Sequence, residues 1–402
     1  MSQSVVKIKD VCEFVRGLTY SKSDEVEYSN NAVLRATNID LNSNRLNLTE
    51  IRYIADSVNV RADKKVRVND ILICTASGSK SHLGKVALIE EKIDMAFGGF
   101  MGVLRAKPNI NPKYLFAFLR SEIFVEHVFN TGDGANINNL KFSQFEDLEI
   151  VLPSLPIQQK IVAKLDAIFT EIDKAMALAE ANAKNAKVLF QSYLSQVFER
   201  GGEGWILTLL DKVCKVDRGS SPRPIKEYFT ESNDGVNWIK IGDTEEGGKY
   251  IFSTNQKITK AGAEKSRYVE VGDFILTNSM SYGRPYIMRI NGYIHDGWFV
   301  LRLNKDIDSE YFYYLLTSPY VQSQFQSLAA GAVVKNISGD LVKKTVLPIP
   351  SLTEQKKLAE IFSEKQMAIK RLSEVYSEKA NELSMLKQSI LTKAFNSELI
   401  KE

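Results

Sequence analysis

The feature that most limits how this chain can fold is that it repeats itself once. Pro153-Ser154-Leu155 returns as Pro350-Ser351-Leu352, an offset of 197 (350 less 153). The same offset pairs Tyr114 with Tyr311, Val103-Leu104-Arg105 with Val300-Leu301-Arg302, Gln158 with Gln355, Lys160 with Lys357 and Phe198 with Phe395. Toward the N-terminus the offset drifts by a few residues, as loop insertions make it do: Val11-Cys12 matches Val213-Cys214, and Arg16-Gly17 matches Arg218-Gly219. Asn136-Ile137 likewise matches Asn336-Ile337. A match of two residues is cheap on its own, but a shared order at a near-constant offset is not. The 402 residues are therefore two copies of one plan, each of about 200 residues, and not two or three unrelated domains.

Each copy begins with a mixed region of short apolar runs, such as Asp70-Ile71-Leu72-Ile73 and Asp273-Phe274-Ile275-Leu276, separated by Gly, Asn and Ser. That pattern predicts a small sheet with long loops. An aromatic-rich helix is expected over 114–119 and again over 311–316. A proline-rich stretch then ends a strand and leads into a long helix. In the first helix Ile161, Leu165, Ile168, Ile172, Ala175, Ala179, Ala186, Leu189 and Tyr193 form a four-three stripe. In the second the stripe is Leu358, Phe362, Ile369, Leu372, Tyr376, Leu383, Leu386 and Ile390. Such stripes are the coiled-coil pattern; the alternative is that each packs only on its own domain. The fold expected is α+β: a tandem duplication of a mixed α/β domain followed by a long helix, with the two helices paired as an antiparallel coiled coil. The boundaries expected are 1–153, 154–200, 201–349 and 350–402.

Composition narrows the function. Lys plus Arg number 52 against 49 Asp plus Glu, a net charge of +3. This excludes a histone-like polycation but not a basic face on one element. The three cysteines, Cys12, Cys74 and Cys214, are far apart and form no CxxC pair, which fits a reducing compartment and argues against structural zinc. No run reaches the ~18 apolar residues of a membrane helix, so a cytoplasmic protein with no membrane partner is expected.

Catalytic motifs are near-misses. Gly78 to Lys85 resembles a phosphate loop, but the spacing is one residue too long and Val86 stands where a Ser or Thr must hold magnesium. Asn111-Pro112-Lys113-Tyr114 resembles the Asn-Pro-Pro-Tyr element of amino-methyltransferases, with Lys113 in place of the second proline and no glycine-rich cofactor loop. Glu90-Glu91-Lys92 is a nuclease-like triplet whose one plausible partner is Asp70. His295 beside Asp296 is expected to be a hydrogen-bonded structural pair. No candidate catalytic set occurs in both copies, so the chain reads as a binder and spacer.

Several motifs, in order, resemble one family. In the second copy these are Arg218-Gly219-Ser220-Ser221-Pro222-Arg223, Trp238-Ile239-Lys240-Ile241-Gly242-Asp243, Val271-Gly272-Asp273-Phe274-Ile275-Leu276, Pro350-Ser351-Leu352-Thr353-Glu354-Gln355 and Ala394-Phe395-Asn396-Ser397-Glu398-Leu399. In the first copy Leu83-Gly84-Lys85-Val86 and Ser154-Leu155-Pro156-Ile157-Gln158-Gln159 match more loosely, and Gly17-Leu18-Thr19-Tyr20 departs from the family's turn. Together they resemble the specificity subunit of type I restriction-modification systems. The resemblance implies two target-recognition domains, each reading half of a bipartite asymmetric site on double-stranded DNA, held apart by antiparallel spacer helices. It implies two modification (methyltransferase) subunits that methylate adenine, and restriction subunits that translocate and cleave. S-adenosylmethionine, ATP and Mg belong to those partners, with no cofactor, metal or catalysis in this chain. A DNA-binding adaptor of another defence system, or a coiled-coil scaffold without DNA specificity, stays open as an alternative.

Within that picture, phosphate contacts favour Lys and Arg, and base edges favour Arg, Asn and Gln. The residues expected at DNA are Lys80, Lys85, Asn136, Asn138 and Lys141 in the first copy, and Arg223, Lys240, Arg284, Lys335 and Asn336 in the second. Tyr20, Tyr282 and Trp298 are candidates to stack or wedge at an opened base pair. Gln158, Gln159, Gln355 and Lys356, where each long helix leaves its domain, are expected to meet the modification subunits.

Overall fold

A computed structural model describes residues 4–41, 43–78, 82–131, 139–245, 247–278, 283–330 and 339–395. Four helices organise them: α1 (Pro112–Phe118), α2 (Leu155–Arg200), α3 (Ser309–Thr317) and α4 (Leu352–Phe395). The chain divides into two compact units. Unit 1 holds residues 1–180 and 378–402, and unit 2 holds 181–377. Each unit thus takes part of α2 and part of α4. Among the described residues no helix is long and apolar enough to cross a membrane, and no cluster of three or more His, Cys, Asp or Glu is arranged to hold a metal.

In unit 1 one sheet has the strand order Cys12–Arg16, Met101–Ala106, Asp70–Cys74, Val86–Leu88, all antiparallel. A second sheet has the order Glu25–Val26, Arg52–Ile54, Asn31–Leu34, Ala96–Phe97, the last pair parallel. The run Asp70-Ile71-Leu72-Ile73-Cys74 is buried throughout because it separates two cores. Strand side chains alternate faces: Ile71 and Ile73 join the core beneath α1 and α2, while Leu72 and Cys74 join the core shared with the second sheet. Unit 2 repeats this arrangement. Phe274 and Leu276 face the α3 side and Ile275 the other, and each sheet gains a strand, Tyr250–Ile251 on one and Arg267–Val269 on the other.

The duplication reaches individual hydrogen bonds. The Gln158 side chain is 0% exposed. Its Oε1 accepts from the Asn111 N–H at 2.7 Å, and its Nε2 donates to Pro153 O at 2.8 Å and Asn109 O at 3.3 Å. Gln355, 1% exposed, does the same with the Asp308 N–H at 2.8 Å, Pro350 O at 2.9 Å and Asp306 O at 3.2 Å. Each glutamine fixes the first turn of its long helix to the N-cap of the preceding aromatic helix. Tyr114 and Tyr311 add a second tie, donating to Val151 O at 2.8 Å and Pro348 O at 2.6 Å.

Within each unit the two helix segments pack side by side. In unit 2, Ser373 Oγ donates to Ala183 O at 3.3 Å, while Phe198 stacks near Phe362 at 5.5 Å, so the segments run antiparallel. In unit 1, Lys387 pairs with Asp173 at 2.6 Å. The stripe differs from the sequence expectation at three positions. Leu189, Leu372 and Leu386 are exposed at 58%, 42% and 47%, while Phe190 and Leu194 on α2 and Ala380 and Leu391 on α4 are buried. A 3.6-residue helix drifts off a fixed heptad register, so leucines that continue the pattern rotate out of the contact.

Candidate nucleic-acid interface

The most repeated local feature outside the cores is a crossing of two loops in each unit. The first strand ends at Arg16 or Arg218, and the next residue is glycine. A Cβ on Gly17 would lie 1.9 Å from Gly98 O, and one on Gly219 would lie 1.9 Å from His295 O. Only glycine lets the chain pass this close. Gly17 then donates to Met101 O at 3.0 Å and Leu18 to Phe97 O at 2.7 Å. Gly219 donates to Trp298 O at 2.8 Å and Ser220 to Ile294 O at 3.3 Å. In both units a cation from another segment braces the strand end: Lys64 Nζ donates to Arg16 O at 2.9 Å, and Arg267 Nε to Arg218 O at 3.2 Å.

In unit 2 the crossing is organised around Asp296. Its Oδ1 accepts from Ser221 Oγ at 2.8 Å, and its Oδ2 lies 3.4 Å from Arg223 Nη2. Its carbonyl accepts from Asn278 Nδ2 at 2.6 Å and Arg218 Nε at 3.4 Å. Partial burial alone would raise the Asp296 carboxyl. The hydrogen bonds from Ser221 and from the backbone at Asp296, with the Arg223 charge, outweigh it and hold the group below the ordinary carboxylate value. One carboxylate thereby orders a turn beside the exposed cations Arg218, Arg223, Lys265 and Arg267. Lys265 is itself placed by Tyr228, whose hydroxyl lies 2.7 Å from Nζ. In unit 1 the corresponding turn carries Phe100, 72% exposed, whose carbonyl accepts from the Thr75 and Ala76 N–H groups at 2.9 and 3.1 Å. An ordered turn ringed by exposed cations suits a polyanion: the fixed backbone sets orientation and the cations meet phosphates.

Comparison with known proteins decides the family. The profile described as "Type I restriction modification DNA specificity domain" matches twice, over residues 3–182 and 203–372. The chain belongs to that specificity family. Relatives include the Type I restriction enzyme StySPI specificity subunit of Salmonella potsdam, 26% identical over 98% of this chain and 88% of the relative. The EcoKI specificity subunit of Escherichia coli K12 is 24% identical over 98% and 89%. In fold, the chain is similar to a solved chain of a type I R-M system, with TM-score 0.73, 20% identity and 98% of both chains covered. It is also similar to the HsdS subunit from Thermoanaerobacter tengcongensis, with TM-score 0.59, 20% identity and 98% and 97% covered.

The residues that the specificity family suggested fall unevenly on this surface. Arg223 stands at the unit 2 crossing. Arg284 is exposed, its N–H on Thr277 Oγ1 at 3.1 Å. Lys141 is exposed in unit 1, next to Leu140, which donates to Thr75 O at 2.6 Å. Lys240 is half-buried, and its ammonium donates to Gln256 Oε1 at 2.8 Å. Lys80, Asn136, Asn138, Lys335, Asn336 and Tyr282 lie outside the described residues.

Several expectations are corrected. Lys85 is buried, donating to Ile39 O at 2.8 Å, and burial holds its ammonium below the ordinary lysine value; it ties a loop and faces no phosphate. Trp298 is 0% exposed, edge-on to Tyr286 at 6.0 Å in the inter-sheet core, and stacks on no base. Gln158 and Gln355 are internal ties; Gln159 and Lys356 are exposed. His295 does not bond Asp296: its Nδ1 accepts from the Gly297 N–H at 2.9 Å. Asn111-Pro112-Lys113-Tyr114 is a helix start, with the Asn111 side chain accepting from the Lys113 and Tyr114 N–H groups. Sequence reasoning missed Arg218, Lys265, Arg267, Asn278, Arg16 and Lys64 as site residues. The repeated Arg-Gly pair was a usable signal for Arg16 and Arg218. The others reach the crossing from distant segments and carry no local motif.

Proposed function

We propose that the chain is the DNA-reading subunit of a type I restriction-modification complex. Residues 1–153 and 201–349 serve as the two target-recognition domains, and 154–200 and 350–402 as the spacer helices. Each domain reads one half of a bipartite asymmetric site, and the helices set the number of unread base pairs between the halves. The chain itself does no chemistry. Two modification subunits bring S-adenosylmethionine-dependent adenine methylation, and restriction subunits bring ATP- and Mg-dependent translocation and cleavage. The observation that carries the reading is the doubled crossing: at Gly17 and Gly219, where a Cβ would lie 1.9 Å from the facing carbonyl oxygen, the chain makes the same pinned turn, beside exposed Arg16 in one half and beside exposed Arg218, Arg223, Lys265 and Arg267 in the other.

Lys141, Arg223, Lys240 and Arg284 keep their proposed roles at DNA, joined by Arg16, Lys64, Arg218, Lys265 and Arg267. The proposal also keeps Lys80, Asn136, Asn138, Lys335 and Asn336 on sequence position. For the modification subunits, exposed Gln159 and Lys356 are joined by apolar side chains left uncovered on the helices, among them Leu178, Val188, Leu189, Leu372 and Val375, exposed between 42% and 63%. At 46 residues, α2 spans about 69 Å at 1.5 Å per residue, against roughly 34 Å per DNA turn. Inserting one heptad after Ala179 together with one after Tyr376 tests the spacer role. Binding to gapped duplexes of graded spacing should move to a longer gap, and an unchanged optimum contradicts it.

A further inference from the structure

Unit 1 contains a cavity of about 510 Å³ bounded by the Ser43–Leu48 loop, the Glu90-Glu91 turn, α1 and segments of α2 and α4. That is the size of a small-ligand site. Two of its lysines have carboxylate partners. Lys113 pairs with Asp166 at 3.4 Å, and Lys387 with Asp173 at 2.6 Å. Arg120, the residue two past α1, hydrogen-bonds to neither carboxylate, although the charges of Asp173 and Asp166 reach it. Its guanidinium carbon lies 5.0 Å from the Phe116 ring centre and 5.7 Å from that of Phe169, and its Nε is buried with no acceptor. Aromatic faces attract a cation but accept none of the in-plane N–H bonds a guanidinium offers. A half-buried cation without an acceptor is costly.

Unit 2 shows what is missing. The residue at the Phe116 position there is Tyr313, and a cation also sits over that ring: Lys249 Nζ lies 4.5 Å from its centre. That cation has a carboxylate, Glu310. Glu310 occupies the position that is Lys113 in unit 1, and Arg120 itself is replaced by Thr317, whose hydroxyl bonds Tyr313 O at 3.0 Å. The duplicated scaffold thus gives the cation over the ring a direct carboxylate contact in one half and, in the other, leaves it within the field of Asp166 and Asp173 but bonded to neither, beside an open cavity.

We propose that this cavity binds an organic monocarboxylate with an apolar body, its carboxylate held by Arg120 and its body against Phe116, Phe169 and Leu88. A guanidinium fork matches a carboxylate in bidentate geometry. The acidic side chains of Glu90 and Glu91 on the rim disfavour a dianion such as a phosphate monoester. This site is independent of DNA reading.

The test is a titration of the full chain with 4-fluorobenzoate, followed by fluorine NMR, alongside the uncharged 4-fluorobenzamide. The acid should bind at millimolar concentration with one site per chain, and the amide at least about tenfold more weakly. Arg120→Gln should lose the acid by a similar factor. Lys113→Glu installs the unit 2 carboxylate in place of the Lys113–Asp166 pair; it should also block the acid, so a folding defect in the first variant leaves the test intact. No acid binding, equal binding of acid and amide, or undiminished acid binding in either folded variant overturns the proposal.

Discussion

Replacing Gln158 or Gln355 by leucine is the sharpest perturbation of the fold. Each side chain is sealed, at 0% and 1% exposure, and each satisfies one N–H and two carbonyls. Leucine of similar size leaves all three without a partner. In unit 1 these are the Asn111 N–H, Pro153 O and Asn109 O. A fully buried unsatisfied group costs about 1–3 kcal/mol. Two of the three lie in part-buried surroundings, so the low end applies, and the sum is about 4 kcal/mol. The leucine's own burial returns about 1 kcal/mol. The net loss is about 3 kcal/mol, or about a hundredfold in the unfolding constant. Unit 2 presents the same set of partners within 0.2 Å (2.7, 2.8 and 3.3 Å against 2.8, 2.9 and 3.2 Å), so both variants should lose the same amount. The assay is urea unfolding. Trp205, Trp238 and Trp298, the three tryptophans, all belong to unit 2, so tryptophan fluorescence reports Gln355→Leu, and far-ultraviolet circular dichroism reports both. A lower midpoint at unchanged slope is expected. A loss under about 1 kcal/mol in either variant would refute the claim that these glutamines tie helix to domain.

Other consequences follow from the same structure. Gly219→Ala should weaken binding at one half-site and lower the melting temperature, because the Cβ must displace the His295 carbonyl, 1.9 Å away; Gly17→Ala should do so at the other half-site, and normal binding by both would remove the crossing from the interface. Arg223→Ala should relax discrimination at its own half-site, whereas Lys141→Ala should weaken binding to all sequences and reduce the salt slope by about one; identical behaviour across salt and sequence would contradict those roles. Burial pushes the Cys12 and Cys214 thiols up to about 12, so at pH 8 both are protonated and sealed. A disulfide reagent should label neither before unfolding, and fast native labelling would contradict their placement.

Much of the fold was legible because it is written twice. The Tyr114/Tyr311 and Gln158/Gln355 pairs appear at one offset in the sequence and make the same bonds in both units. The sequence did not reveal that the glutamines point inward. A polar residue at a helix start is ordinarily solvated, and only the Asn111 and Asp308 N-caps folding back over the helix make a buried acceptor necessary. Lys85 misled for a similar reason: its aliphatic stem buries easily, and its acceptor, Ile39 O, comes from a loop 46 positions away. The crossing was legible only at its Arg-Gly pairs. Arg267 arrives there through strand pairing and Lys64 from a 3-10 turn distant in sequence, long-range placements that no local pattern encodes. Leu189 shows the limit of periodicity, since a matched stripe predicts a face but not which residue of neighbouring candidates enters the seam.

The central claim is that two duplicated reading units act on two separate stretches of DNA. Single-molecule methylome sequencing of a host expressing this chain with its modification subunit tests it most directly. A two-part adenine motif interrupted by a fixed number of unread bases is the predicted result. A continuous palindrome would contradict it.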